Sequence, residues 1–405
     1  MSKPAGRDAA LGRPSLALAL GVPAAVRRLE ELVAAAAEAI PACPGAAELR
    51  ALVRSEARRR ARALFDLCAG FVYSQVLLAC VRLRLFETLR AEGPLPAAAL
   101  AARLGLEEAA ALRLLGAAAS LDLVARRGGG RFALGPLGAA MVGNVGLAAM
   151  VEHHATLYAD LQDPVALLRG ERGGAATGLS RLWSYAGAGR PAALRAADVA
   201  EYSALMAASQ AMIAEEVLDA APLRRHRRLL DVGGGEGVFL AAAAARAPHL
   251  GLMLFDLPAV ADRARAHLAQ AGLAGRAEAI GGDVLRDPLP GGADLVSLVR
   301  VLHDHDDAAA LAILRAVRRA LPPDGALLLA EPMARTPGAE PAGEAYFGFY
   351  LLAMGQGRPR TAEEIGALLR AAGFGRARLL RTRTPLLVRA MLARRRRDIP
   401  IVNLD

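Results

Sequence analysis

The stretch RLLDVGGGEGVFL, residues 228 to 240, constrains the fold more than any other part of the chain. An apolar run, Leu229 to Val232, stops at three glycines, Gly233 to Gly235, and an alanine-rich helical segment follows. That order reads as strand, tight turn and helix. Glycine lets the backbone approach a ligand where a Cβ would clash, and the N–H groups that open the helix point at whatever docks there. Twenty-one residues after Gly235, Asp256 closes a second apolar strand, LMLFD. A carboxylate at that place is positioned to grip both hydroxyls of a ribose.

Turn and acidic strand end fit both an NAD dehydrogenase and an S-adenosylmethionine enzyme. The dinucleotide pattern wants a small residue three places after its second glycine, and Val238 stands there. A third strand, AEAIGGD, ends in Asp283, placed to hold an adenine amino group. A fourth, DLVSLVRVL, ends in His303, at the carboxyl edge of the sheet where ligands of open α/β folds sit.

The ordered series DVGGGEG, FDLPAV, GGD, RVLHDHDD, AEPM and RTAEEI resembles the S-adenosylmethionine-dependent O-methyltransferases typified by the plant caffeate and flavonoid enzymes. The resemblance spans roughly residues 60 to 393, and the set is more specific than any single member. Within it FDLCAGFVYSQVLLACVRL, HHATLYADLQDPVALLRGE and YFGFYLLAMGQGRPR look most like the bacterial hydroxyneurosporene (demethylspheroidene) branch of acyclic carotenoid synthesis, with the bacteriochlorophyllide branch as competitor. It implies a Rossmann-like seven-stranded α/β domain behind a mainly helical, winged-helix-like dimerisation domain. It also implies S-adenosyl-L-methionine as cofactor, held by Asp231, Gly233, Gly235, Asp256, Leu257, Asp283, Val284, Arg300 and Gln210.

Composition excludes several classes. A chain of 405 residues, about half apolar, has room for two buried cores. The net charge of +10 is almost all arginine, with Lys3 the only lysine, beside abundant Ala, Gly and Pro. This is the imprint of a GC-rich genome and carries little weight as a partner signal. Cys43, Cys68 and Cys80 form no metal spacing, and an odd count on mostly apolar segments predicts reduced, buried thiols in a cytoplasmic protein without a metal. SLALALGVPAAV, after Lys3, Arg7 and Arg13, imitates a signal peptide but lacks a clear cleavage site. Asp66, Gln75 and Arg82 interrupt the best approach to the roughly 18 apolar residues a spanning helix needs.

In chain order the expected units are a partly mobile helical extension (1–60), a helical winged-helix-like dimerisation and substrate domain (61–205), the cofactor domain (206–395) and a tail (396–405). The cluster Arg58, Arg59, Arg60 and Arg62 reads as a solvated helix face or as a contact with anionic lipid, a peripheral membrane partner. Residues 64 to 90 form a helix with an apolar face too wide for a surface element. In the resembled family this region makes the dimer interface, so a homodimer is expected. The winged helix that follows offers Glu107, Glu108 and Arg113 and no Asn, Gln or Lys to read bases, which argues against nucleic acid. The run Arg394 to Arg397 reads as a solvated tail.

Methyl transfer from a sulfonium requires mainly alignment of an oxygen nucleophile, helped by a base. His303 is the expected base, since neutral imidazole accepts a proton near pH 7. Glu331 and Glu364 resemble the two acids that flank the base in plant relatives. In the irregular loop after the fourth strand, positions 303 and 305 could both face the cavity, with a loop histidine bonded to backbone as the other reading of His305, and the carotenoid branch often carries tyrosine where His303 stands. Met206 lies one helical turn from Gln210, facing the same way; in the resembled family the corresponding positions touch the cofactor or the methyl acceptor, and a structural methionine in a packed helix is the other reading. Phe71, Tyr346, Phe349, Tyr350 and Met354 are the expected apolar lining of the acceptor site, an aromatic stripe that equally fits ordinary core. The expected activity is methylation of a hydroxyl on an acyclic carotenoid. The alternatives are another apolar acceptor, such as a bacteriochlorophyllide or a polyketide phenol, or a winged-helix regulator with a cofactor-binding sensor.

Overall fold

A computed structural model describes residues 22–171 and 176–396. The expectations for residues 1 to 20, the signal-like stretch included, and for Arg397 and the tail beyond it lie outside these. Helix α1 (Val22–Glu38) packs against α2 (Ala46–Arg82). The expected change of helix near residue 64 does not occur, and α2 runs unbroken for 37 residues across the 60/61 boundary. Its residues are mostly strong helix formers, with no proline and one glycine, Gly70. Part of the basic cluster is satisfied locally, because Arg59 and Arg60 both reach Glu56.

The middle of α2 is not buried as its wide apolar face suggested. Leu64, Phe65, Leu67, Phe71 and Val72 stand in solvent, Leu67 at 81% exposure, while Leu78 and Cys80 enter the core. By length and composition α2 is long and apolar enough to cross a membrane, the one such helix among the described residues. Counting Asp66, Gln75 and Arg82 as interruptions excluded this too strictly. Of the three thiols only Cys80 is buried; Cys43 and Cys68 are exposed.

Next come α3 (Leu85–Glu92), β1 (Leu95–Pro96), α4 (Ala97–Leu104), α5 (Glu108–Ser120), β2 (Val124–Arg127) and β3 (Arg131–Leu134). The strands pair antiparallel in the order β1-β3-β2, and Leu85, Phe86, Leu100, Leu115 and Phe132 fill the core between them and the helices. This is the expected winged helix. Helices α6 (Val145–Asp160) and α7 (Ala196–Ala220) pack together and lead into the second unit. The 205/206 boundary falls inside α7.

The second unit comprises β4 (Arg228–Val232), α8 (Val238–Arg246), β5 (Gly251–Asp256), α9 (Pro258–Gln270), β6 (Ala277–Gly281), β7 (Leu295–Val299), α10 (Asp307–Ala320), β8 (Ala326–Glu331), α11 (Gly348–Met354), α12 (Ala362–Ala371), β9 (Arg378–Leu379) and β10 (Arg389–Arg394). The seven strands lie in the order β6-β5-β4-β7-β8-β10-β9, parallel from β6 to β8, with β10 antiparallel to both of its neighbours. β7 and β8 are buried along their whole length, as unbroken apolar strands of a sheet covered on both faces must be. One core layer joins α7 and α8 to the sheet and another joins α10 and α12. Chain order reverses between β4 and β7, which opens a crevice beyond their carboxyl ends.

Candidate active site

The glycine turn after β4 floors this crevice. Gly233, Gly235 and Gly237 have φ of +69°, +57° and +83°, a region that a side chain makes costly. A Cβ on Gly234 would sit 2.7 Å from Asp231 Oδ2, so the turn closes directly over that carboxylate, whereas one on Gly235 would meet nothing within 4 Å. Asp231 is 1% exposed. Its Oδ1 accepts from Ser297 Oγ at 2.6 Å, and its Oδ2 has no partner. Burial, with the nearby Asp256 charge, pushes its carboxyl up to about 7 against the Ser297 bond.

Asp256 ends β5. Its Oδ2 accepts from Gly235 N and its Oδ1 from Leu257 N, at 2.8 and 2.7 Å. Burial raises it to about 6 in spite of these bonds. Each oxygen keeps a lone pair for a further donor. Asp283, two residues beyond β6, accepts from Leu285 N and is 5% exposed. These groups border a cavity of about 340 Å³, walled on the far side by Trp183, Tyr185 and one face of α7.

The loop after β7 carries the second half of the site. Arg300, in the left-handed region at φ +60°, sends its guanidinium across the cavity to Met206 Sδ at 2.7 Å, Ser209 Oγ at 3.0 Å and Gln210 Oε1 at 3.4 Å. Burial lowers its pKa, although Asp304 opposes this. A non-glycine residue held there by its surroundings is a strain that aims a side chain. His303 follows in a short 3₁₀ turn. Its Nδ1 lies 2.5 Å from Glu331 Oε2 and its Nε2 3.2 Å from Asp304 Oδ1. Burial opposes the imidazolium, but the two carboxylates outweigh it and the pKa is raised. Tyr185 donates to Asp304 Oδ2 at 2.7 Å, so Tyr185, Asp304, His303 and Glu331 form one polar chain.

Residues 158–375 match the O-methyltransferase domain family, and residues 65–144 match the O-methyltransferase dimerisation domain. The chain belongs to the O-methyltransferase family. Over 357 residues it is 46% identical to the demethylspheroidene O-methyltransferase of Cereibacter sphaeroides, covering 87% of this chain and 92% of that one. The counterpart from Rhodobacter capsulatus is 43% identical over 349 residues, 85% of this chain and 84% of the other. The solved human N-acetylserotonin methyltransferase in complex with S-adenosylmethionine superposes with a TM-score of 0.68 at 26% identity, covering 83% and 98%.

S-adenosylmethionine is the cofactor of this O-methyltransferase, and the cavity fits it. An unpartnered buried carboxylate oxygen on Asp231, open space above Gly235 and spare lone pairs on Asp256 are what a polar, cationic nucleoside would complete. Leu257, Val284, Gln210 and Met206 all reach the cavity wall, as do Asp283 and Arg300.

The expected catalytic and acceptor residues fare unevenly. Glu331 meets His303, and it also accepts from the N–H groups of Val301 and Leu302. Glu364 does not reach the histidine. It closes a capping box with Thr361 at the start of α12 and pairs with Arg358. The second acid beside the imidazole is Asp304, quoted in the motif but given no role. Phe71 lies on the exposed face of α2 and, within one chain, does not line the cavity.

Helical spacing was expected to put Tyr346, Phe349 and Tyr350 on one face. Residues Ala342–Phe347 instead form a π-helical turn before α11, which advances the register by one residue. Phe347 therefore joins Tyr346 and Tyr350, its ring 5.8 Å from that of His303, and Phe349 makes no such ring contact. Tyr350 accepts from Trp183 Nε1 at 2.8 Å and pairs with His153 Nε2 at 2.7 Å; Tyr346 pairs with His154 Nε2 at 2.8 Å. Burial, then the neighbouring His154, lowers His153 to about 4, so the ring is neutral near pH 7. Met354, 1% exposed, belongs to the apolar core with Tyr350, Leu351 and Trp183 and not to the cavity wall.

Proposed function

We propose that this enzyme methylates the tertiary hydroxyl of an acyclic hydroxycarotenoid and works as a homodimer. The observation that carries the acceptor is the 46% identity to a demethylspheroidene O-methyltransferase across 92% of that protein's length. The tyrosine, phenylalanine and methionine surfaces around Arg300 and His303 support it, because they offer apolar contact and few hydrogen bonds to a sugar or nucleotide acceptor. The exposed apolar stretch of α2 enters the matched dimerisation domain at residue 65 and supports self-association.

When bound, S-adenosylmethionine would supply a methyl on a sulfonium to the acceptor oxygen, whose hydroxyl proton would pass to solvent, leaving a methyl ether and the neutral thioether. The chain holds and orients. Asp256 would take the ribose hydroxyls, Asp283 the adenine amino group, and Leu257 and Val284 would give apolar surface to the base. Gly233 and Gly235 keep the turn clear, while Asp231, Gln210 and Arg300 would serve the amino-acid end. Asp231 and Asp256 bring negative charge to a cavity that must hold a cation. His303 with Glu331 and Asp304 fixes the loop after β7 and its local charge. Deleting the gene in a strain that makes these pigments tests the acceptor: demethylated hydroxycarotenoids should accumulate, and an unchanged pigment profile would remove the proposal.

A further inference from the structure

We propose that the first part of α2, residues 54 to 65, docks the enzyme on the surface of an anionic lipid bilayer, from which its acceptor is drawn. The inference rests on the carotenoid reading above for its purpose, since a long hydrocarbon chain with one hydroxyl partitions into a bilayer and not into water. The docking itself stands on residues that the methylation site does not use. Helix α1 and α2 up to residue 64 precede both family matches, which begin at residues 65 and 158.

Charge is sorted between these two helices. α1 holds Arg27 and Arg28 against Glu30, Glu31 and Glu38, whereas residues 50 to 62 of α2 hold six arginines and a single carboxylate, Glu56. Glu56 takes both Arg59 and Arg60, at 2.9 and 2.8 Å, and Arg62 lies 4.0 Å from Asp66. Arg54 and Arg58 have no ion-pair partner among the described residues. Arg54, Arg58 and Arg62 follow one another four residues apart, a spacing at which like charges on a helix repel. An anionic surface relieves that repulsion.

The same spacing brings Phe65 onto the face of these three arginines. All four side chains are exposed, Phe65 at 65%. The face turned to α1 is a different one. Arg50 donates from there to Ala37 O and Ile40 O at 3.0 and 2.9 Å, and Val53 and Ala57 are half-buried on that side. Continued by whole heptads, the covered stripe arrives at Leu64, Leu67 and Phe71, the surface offered to a second copy. The basic face is therefore left open both by α1 and by that stripe. Arginines around an exposed aromatic ring are what an interfacial helix presents to anionic headgroups: the guanidiniums meet phosphate and the ring enters the acyl boundary. Nucleic acid would satisfy the charges but gives an exposed phenylalanine nothing to enter, so the face favours lipid.

Sedimentation of the full-length enzyme with lipid vesicles tests this. The enzyme should pellet with vesicles of equal parts phosphatidylcholine and phosphatidylglycerol, and not with phosphatidylcholine alone. Raising the salt to about 1 M, where charges are screened within about 3 Å, should release it. The triple variant Arg54→Gln, Arg58→Gln, Arg62→Gln should lower the partition coefficient about 100-fold, at about fivefold for each arginine near the surface. Glutamine keeps the helix propensity of arginine, and an unchanged affinity for S-adenosylhomocysteine in calorimetry shows that the variant is folded with its cofactor site intact. The proposal is overturned if neutral vesicles bind as well as anionic ones, or if the triple variant pellets like wild type. Bound enzyme that resists about 1 M salt, as a helix inserted across the bilayer would, also overturns it, as does enzyme that stays with duplex DNA when both are offered. The assay contains no carotenoid, so failure here is separable from failure of the acceptor reading.

Discussion

Replacing Asp231 by asparagine should make the ligand-free enzyme more stable at pH 8 and a poorer binder of its cofactor. The carboxylate is 1% exposed, one oxygen has no partner, and burial lifts it to about 7. An unfolded aspartate titrates near 3.9, so the gap is about 3 pH units, or about 4 kcal/mol at roughly 1.36 kcal/mol per unit. The sign follows from proton counting. Below about pH 4 both states are protonated and nothing is lost. Between about 4 and about 7 the native state binds more protons than the unfolded one, so stability falls as pH rises, and above about 7 the full cost is present. The Asp231→Asn variant would carry no charge there but would bury an amide, which costs about 1–3 kcal/mol if poorly paired. The net gain at pH 8 is then about 1–3 kcal/mol, shrinking towards zero or reversing by pH 5. Urea unfolding of both proteins at the two pH values measures the difference directly. A variant less stable than wild type at pH 8, or a difference that does not change with pH, would refute the reasoning. In the same samples S-adenosylmethionine should bind about 10- to 100-fold more weakly to the variant, the loss expected for a charge-assisted contact.

Asp256→Ala should weaken S-adenosylhomocysteine binding at least about 100-fold in calorimetry, because it strands the Gly235 and Leu257 N–H groups as well as the ribose hydroxyls. Leu67→Glu places a charge on the 81%-exposed centre of the α2 face and should shift sedimentation from dimer to monomer while leaving monomer secondary structure intact.

The cofactor half of the site was legible because its signals are local. A strand that stops at Gly233, and acids at the ends of the next two strands, need only period and spacing to be read, and Asp256 and Asp283 stand at the crevice as expected. The acceptor half depends on features without a sequence period. The left-handed Arg300 and the 3₁₀ turn after it set His305 on the wall of the cofactor cavity and His303 against Phe347 and Glu331. The π-helical turn at Ala342–Phe347 exchanges Phe347 for Phe349. Glu364 shows two uses competing for one residue: Thr361 three places before it announces a capping box, and that local bond holds its carboxylate. In α2 the apolar face was visible, but on the proposed homodimer reading its cover comes from a second copy, so a single sequence suggests burial where one chain shows exposure.

Incubating the purified enzyme with methyl-labelled S-adenosylmethionine and an acyclic carotenoid bearing a tertiary hydroxyl tests the central claim most directly. Label recovered as a methyl ether on the carotenoid, and none on the same carotenoid lacking the hydroxyl, is the predicted result. Binding of the cofactor with no label in the hydroxylated pigment would contradict the account.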